Sequence, residues 1–114
     1  MPRSIRTLSG YEGVWLFAMF DLPMVTKAER KAYARFRKSL IREGFMRLQY
    51  SVYARYCPTQ EASEAYRRRV RADLPPKGQV RLIHITDRQF GQMSVFAGKN
   101  AEPAEDPPAQ LMLF

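Results

Sequence analysis

Seven apolar residues, Val14 to Phe20, run without a break into Asp21-Leu22-Pro23. A continuous apolar run of that length, closed by a turn signal, is the pattern of a central strand covered on both faces. Proline cannot extend a ladder, so Pro23 helps force the chain out of the sheet. Asp21 then has a backbone fixed by the strand and a side chain left at the sheet's rim. That placement suits a ligand for Mg²⁺ or Mn²⁺ in phosphodiester chemistry. It equally suits a turn residue that accepts backbone amides ahead of Leu-Pro. One carboxylate makes an incomplete metal site, and no second one stands nearby in the sequence. If Asp21 binds metal, the missing ligand is expected from a second copy of the chain.

The 114 residues amount to about one domain with a modest core. Residues 1–12 read as a flexible lead-in, 13–98 as the folded body and 99–114 as a C-terminal interaction tail. No apolar run approaches the length that crosses a bilayer, and the first residues lack the apolar middle of a secretory signal. The single cysteine, Cys57, cannot form an internal disulfide. Cytoplasm is the expected location.

Charge narrows the function. The net charge is +8, with 14 of the 19 basic residues arginine. Glu102, Glu105 and Asp106 sit in the tail, so residues 1–100 carry 19 basic against 8 acidic groups, or +11. Guanidinium binds phosphate through paired hydrogen bonds, and nucleic acid is the natural partner of such a body. A solvated basic surface or an acidic protein partner would leave the same composition.

Thr26-Lys27-Ala28-Glu29 has the spacing of a capping box. The helix it opens is predicted to reach Arg42 or Glu43 and stop at Gly44. Tyr33, Phe36 and Leu40 form its buried stripe. Lys27, Lys31, Arg35, Lys38 and Arg42 form a second, basic stripe, placed either to follow a nucleic-acid backbone or simply to face water. Residues 45–56 are rich in β-formers, with Gln49-Tyr50-Ser51 interrupting them, which fits either a short hairpin or one bent strand. A second helix follows at 60–73, with Ala62, Ala65, Tyr66 and Val70 inward. Arg67, Arg68, Arg69 and Arg71 load its C-terminal end, beyond what the helix dipole alone would favour. Leu74-Pro75-Pro76-Lys77-Gly78 is a stop and turn. Val80–Thr86 is a predicted strand, and Met93–Ala97 another.

Two helices cover only one face of such a sheet. The expected fold is therefore α+β, a ferredoxin-like sandwich of an antiparallel sheet with two helices on one face. The other face, carrying Trp15, Phe17 and Met19 or the alternate set, would not sit stably in water, which argues for dimerisation.

Several of these segments together resemble one family. They are Phe20-Asp21-Leu22-Pro23, Arg35-Phe36-Arg37-Lys38, Gly44-Phe45-Met46-Arg47-Leu48-Gln49-Tyr50-Ser51-Val52-Tyr53, Leu74-Pro75-Pro76-Lys77-Gly78, Val80-Arg81 and Thr86-Asp87-Arg88-Gln89-Phe90-Gly91. In this order and spacing they resemble the small CRISPR-associated endoribonuclease-like protein of spacer acquisition, especially members from compact single-effector systems. The likeness runs from about Gly13 to Gly98. It implies a ferredoxin-like homodimer that bridges the CRISPR integrase and holds double-stranded DNA on its basic flanks in antiviral defence. It also implies an aspartate after the first strand, matching Asp21, that serves metal-dependent cleavage of DNA or single-stranded RNA in some members. Nuclease and non-enzymatic scaffold, with Asp21 structural, are the two readings this leaves. The nucleic-acid contacts expected here are Lys27, Lys31, Arg35, Lys38, Arg42, Arg67, Arg68 and Arg71. The tail, acidic and then apolar at Leu111–Phe114, is expected to dock on the integrase, with the twin subunit as alternative.

The remaining reactive residues read as structural. His84 lies inside an apolar strand and is expected to be a satisfied histidine. Cys57 has no metal-spaced partner and is expected to be inert. Asp87 also follows a strand end and is the second candidate metal ligand, with helix capping as its competing role. Tyr50, Ser51 and Tyr53 could orient water or phosphate, or serve packing alone. Gly10-Tyr11-Glu12-Gly13 lacks the pattern of a nucleotide-binding loop.

Overall fold

The computed structural model describes residues 13–99. Its elements are β1 (Val14–Asp21), α1 (Lys27–Arg42), β2 (Met46–Gln49), β3 (Val52–Cys57), α2 (Gln60–Ala72), β4 (Gln79–Thr86) and α3 (Asp87–Gly91). The four strands form one antiparallel sheet in the order β2-β3-β1-β4. This is the α+β, ferredoxin-like arrangement expected. β1 is a central strand, with Trp15 opposite Tyr56 on one side and Ile85 on the other.

α1 starts where the capping box puts it. The Thr26 hydroxyl accepts from the Glu29 amide at 3.0 Å, and the Glu29 carboxylate accepts from the Thr26 amide at 3.0 Å. The helix ends at Glu43, and Gly44 takes the left-handed φ of +89° that turns the chain into β2. Tyr33, Phe36 and Leu40 are buried as their spacing requires. They pack with Leu16, Ala18, Phe20, Tyr53 and, from α2, Val70. The Leu, Phe and Val side chains among them contribute about 1.5–3 kcal/mol each when fully buried. Ser39 and Ser63 are also buried in this layer, and each donates its hydroxyl to the carbonyl three residues back.

Residues 45–57 form a hairpin rather than one bent strand, with Tyr50 and Ser51 at its tip and a register shift between Arg47 and Gln49. Leu16, Ala18 and Phe20 point to the helices, so Trp15, Phe17 and Met19 point to the other face. One end of that second face is closed by α3, whose Phe90 stacks on Trp15 with centroids 4.0 Å apart. Ile83, on the same face, is half exposed.

The expected strand at Met93–Ala97 does not form within the described chain. A strand needs a neighbouring backbone, and α3 leads the chain off the end of β4 before residue 93, leaving Val95 and Phe96 exposed. α3 itself was not expected: its Thr86/Gln89 capping box holds a single short helix where the sequence showed only a turn. The lead-in 1–12 and the tail from residue 100, including Leu111–Phe114, lie outside the described residues.

Candidate nucleic-acid interface and metal-binding rim

Asp21 is the last residue of β1 and is exposed. Three constraints fix its backbone. It pairs with Gln79 on β4, and the amide of the preceding Phe20 donates to the Ser51 carbonyl at 3.1 Å. Gly78, at φ +94°, approaches so closely that a Cβ there would lie 2.7 Å from the Asp21 carbonyl oxygen. Alternation along β1 places Asp21 on the second face, in line with Met19 and Phe17. Its carboxylate enters no ion pair among the described residues.

Asp87 is at the opposite end of the sheet. Val14 pairs with Thr86, whereas Asp21 pairs with Gln79, so about seven strand residues, roughly 23 Å, separate the two carboxylates. Asp87 is also engaged, accepting from the Trp15 indole at 2.8 Å. The capping of α3 falls to Thr86, with Asp87 in the first turn. No group of three metal-ligating side chains occurs among the described residues. Mg²⁺ keeps most of its water and is commonly held by one or two carboxylates together with phosphate oxygens, so Asp21 would supply one ligand of an incomplete set.

The basic stripe of α1 is real. Lys27, Lys31, Arg35, Lys38 and Arg42 are all exposed, on a helix of 16 residues that spans about 24 Å. None of the five is ion-paired among the described residues. The α2 cluster divides in two. Arg68 and Arg71 are exposed. Arg67 turns inward, 3.2 Å from His84 Nδ1 and 3.7 Å from Glu64, and Arg69 pairs with Glu43 at 3.2 Å over the Tyr66 ring. His84 is thus a partnered histidine, as expected.

The two outward groups adjoin. A hollow of about 310 Å³ is lined by Arg35, Arg42, Asp73 and Leu74, and a second of about 340 Å³ by Glu64, Arg67, Arg68, Arg71 and Leu74. Leu74 borders both, so the outward basic groups of α1 and α2 meet across it, with basic residues outnumbering the one carboxylate in each hollow. Like charges left close together and unpaired favour a polyanion.

Burial pushes the Cys57 thiol above its ordinary value, in keeping with an inert residue. The sequence did not foreshadow Arg55. Its guanidinium lies over Tyr66 at 4.1 Å and donates to the Tyr66 hydroxyl, a packing role unlike that of the outward arginines. Ser51, a candidate for the site, takes a left-handed φ of 63° that its hydroxyl-bearing neighbours do not announce.

The sequence model of the family described as CRISPR associated protein Cas2 matches residues 14–93. A protein named CRISPR-associated endoribonuclease Cas2 from Parvibaculum lavamentivorans is 50% identical over 101 residues, covering 89% of this chain and 100% of that one. Proteins of the same name from Flavobacterium psychrophilum and Paracidovorax avenae are 41% and 42% identical, covering 94% of this chain in each case and 93% and 99% of their own lengths. With the family model matched over residues 14–93 and relatives 41–50% identical over nearly the whole of both chains, the chain belongs to the Cas2 family of CRISPR-associated proteins.

Proposed function

We propose that this protein acts in CRISPR spacer acquisition as a homodimer that holds duplex DNA on its helical surface and bridges the integrase. The observation that carries this reading is the unpaired basic surface formed by α1 and the outward arginines of α2. Lys27, Lys31, Arg35, Lys38 and Arg42 follow one strand's phosphates, and Arg68 and Arg71 extend the contact past Leu74. Arg67 contributes its charge from behind them. Such contacts are to backbone and indifferent to base sequence.

The half-exposed second face, with Phe17, Met19 and Ile83, supports association of two copies, as do the exposed apolar residues beyond α3. Two-fold symmetry brings copies of one residue together near the axis, and Asp21 lies on that face. The paired Asp21 carboxylates would hold Mg²⁺ or Mn²⁺, which supplies charge stabilisation at a phosphate and a more acidic bound water. Asp21 binds and orients there, while the basic surface positions DNA or single-stranded RNA. Residues 13–98 form the nuclease-like body in this reading, and the tail meets the integrase. Cytoplasm is the compartment proposed.

Reconstituted spacer integration, with wild type beside Asp21→Asn and a Lys31→Glu/Arg35→Glu variant, tests the proposal. Loss of integration and of duplex binding in the charge-reversed variant is expected. Unchanged integration by that variant overturns the bridge. Metal-dependent cleavage that survives in Asp21→Asn removes the catalytic role of Asp21, and undiminished integration by Asp21→Asn places the function in the bridge.

A further inference from the structure

The tip of the β2–β3 hairpin presents Tyr50, 62% exposed, an aromatic ring that neither core takes up. The ring is held rather than loose. It stacks on Tyr33 with centroids 5.9 Å apart and an interplanar angle of 19°, and its hydroxyl donates to Met24 Sδ at 3.2 Å. The next residue, Ser51, keeps a backbone conformation that costs a non-glycine residue about 1–3 kcal/mol. Two contacts enforce it: the Ser51 carbonyl accepts from the Phe20 amide at 3.1 Å, and its hydroxyl lies 3.2 Å from the Tyr33 hydroxyl. A glycine tip would turn as tightly without that cost, but it would not be tied to Tyr33.

Arg47 completes the group. Its guanidinium lies 5.8 Å from the Tyr50 ring centroid, is exposed, and has no ion-pair partner among the described residues. The whole assembly stands on the same rim as Asp21, because Phe20, bonded to Ser51, directly precedes it.

We propose that Tyr50, with Arg47 above it, is a stacking platform for an unpaired nucleobase, taken from a single strand or from the first position beyond a duplex end. The proposal deepens the nucleic-acid reading above and rests on it. A neutral aromatic face accepts any base, and guanidinium planes stack on bases as well. A tyrosine phenol is uncharged at neutral pH, and the neighbouring Tyr33 side chain raises that of Tyr50 further. Arg47, on a flexible stem, lifts to admit the base and then covers it. Backbone contacts along α1 set where the duplex lies, and the platform sets where pairing ends.

The test is a set of binding titrations of the full chain at one salt concentration. The probes are a blunt duplex, the same duplex with an unpaired overhang, and an oligo-dT strand, each against wild type, Tyr50→Ala and Tyr50→Trp. Tyr50→Ala is expected to weaken overhang and single-strand binding by about 5- to 150-fold, leave the blunt duplex unchanged, and be rescued by Tyr50→Trp. In wild type, 2-aminopurine at the first unpaired position should be quenched more strongly than at a paired one, a measurement that needs no variant to fold. Equal losses on blunt and overhanging duplexes, or no difference in quenching, overturn the platform. Failure of wild type to bind any of the three probes overturns the nucleic-acid reading beneath it.

Discussion

Gly78 shows how one residue sets the rim. Its positive φ and its approach to the Asp21 carbonyl and Leu22 leave no room for a side chain. Gly78→Ala is expected to cost about 1–3 kcal/mol. A thermal melt should show a Tm lower by about 4–8 °C for each kcal/mol. Cys57 gives a second expectation at this scale. Burial raises its folded-state value, so its contribution to stability is complete below the unfolded thiol value and is lost as pH rises through the folded one. A thiol reagent should therefore leave native Cys57 unlabelled and react once the chain is unfolded. Rapid labelling of the native protein would contradict this. Residues of this kind were partly legible in the sequence. Asp21 could be placed because its strand end is written in local residues. The left-handed Ser51 and the stacked Arg55 depend on contacts with Tyr33 and Tyr66, which are distant in sequence.

Elements followed their local signals closely. α1 has both halves of its capping box, and the Thr26 amide, the largest cause, holds the Glu29 carboxyl below its ordinary value. A depressed carboxyl stabilises the fold above its unfolded value and loses that contribution as pH falls through the folded one. Melts of wild type and Glu29→Gln should accordingly differ at neutral pH and converge in acid. α3 is the opposite case: five residues carry too little periodicity to announce a helix, yet Phe90 is buried against Trp15. Phe90→Ala should destabilise the protein by about 3–5 kcal/mol in urea titrations. Met93–Ala97 misled for a related reason. Apolar β-formers look alike in sequence whether or not a neighbouring backbone is available to pair with them. The hairpin at 45–57 is set apart from a bent strand by the antiparallel pairing of β2 with β3, which local composition does not announce.

At the scale of the molecule, the unpaired basic stripe of α1 lies on the helical side of the sheet and the half-exposed Phe17, Met19 and Ile83 on the other, beside Asp21 and Arg81. The helical side should bind duplex DNA with a steep salt dependence. Each phosphate contact removed by Lys31→Glu or Arg35→Glu is expected to flatten the slope of log affinity against log salt by about 0.9. A slope unchanged in both variants would place DNA elsewhere. The overall architecture was legible because β1, α1 and α2 are long and locally consistent. The joining of two arginine groups around Leu74 was not, since it arises only when α2 and its following loop pack beside α1. The chain has one tryptophan, and Trp15 lies at the α3 end of the apolar side, against Phe90, Tyr56 and the Asp87 carboxylate. Its emission is therefore a built-in optical probe of a single place: an ion arriving at Asp21, roughly 20 Å away along β1, should leave the spectrum silent, whereas melting of α3 should shift it to the red.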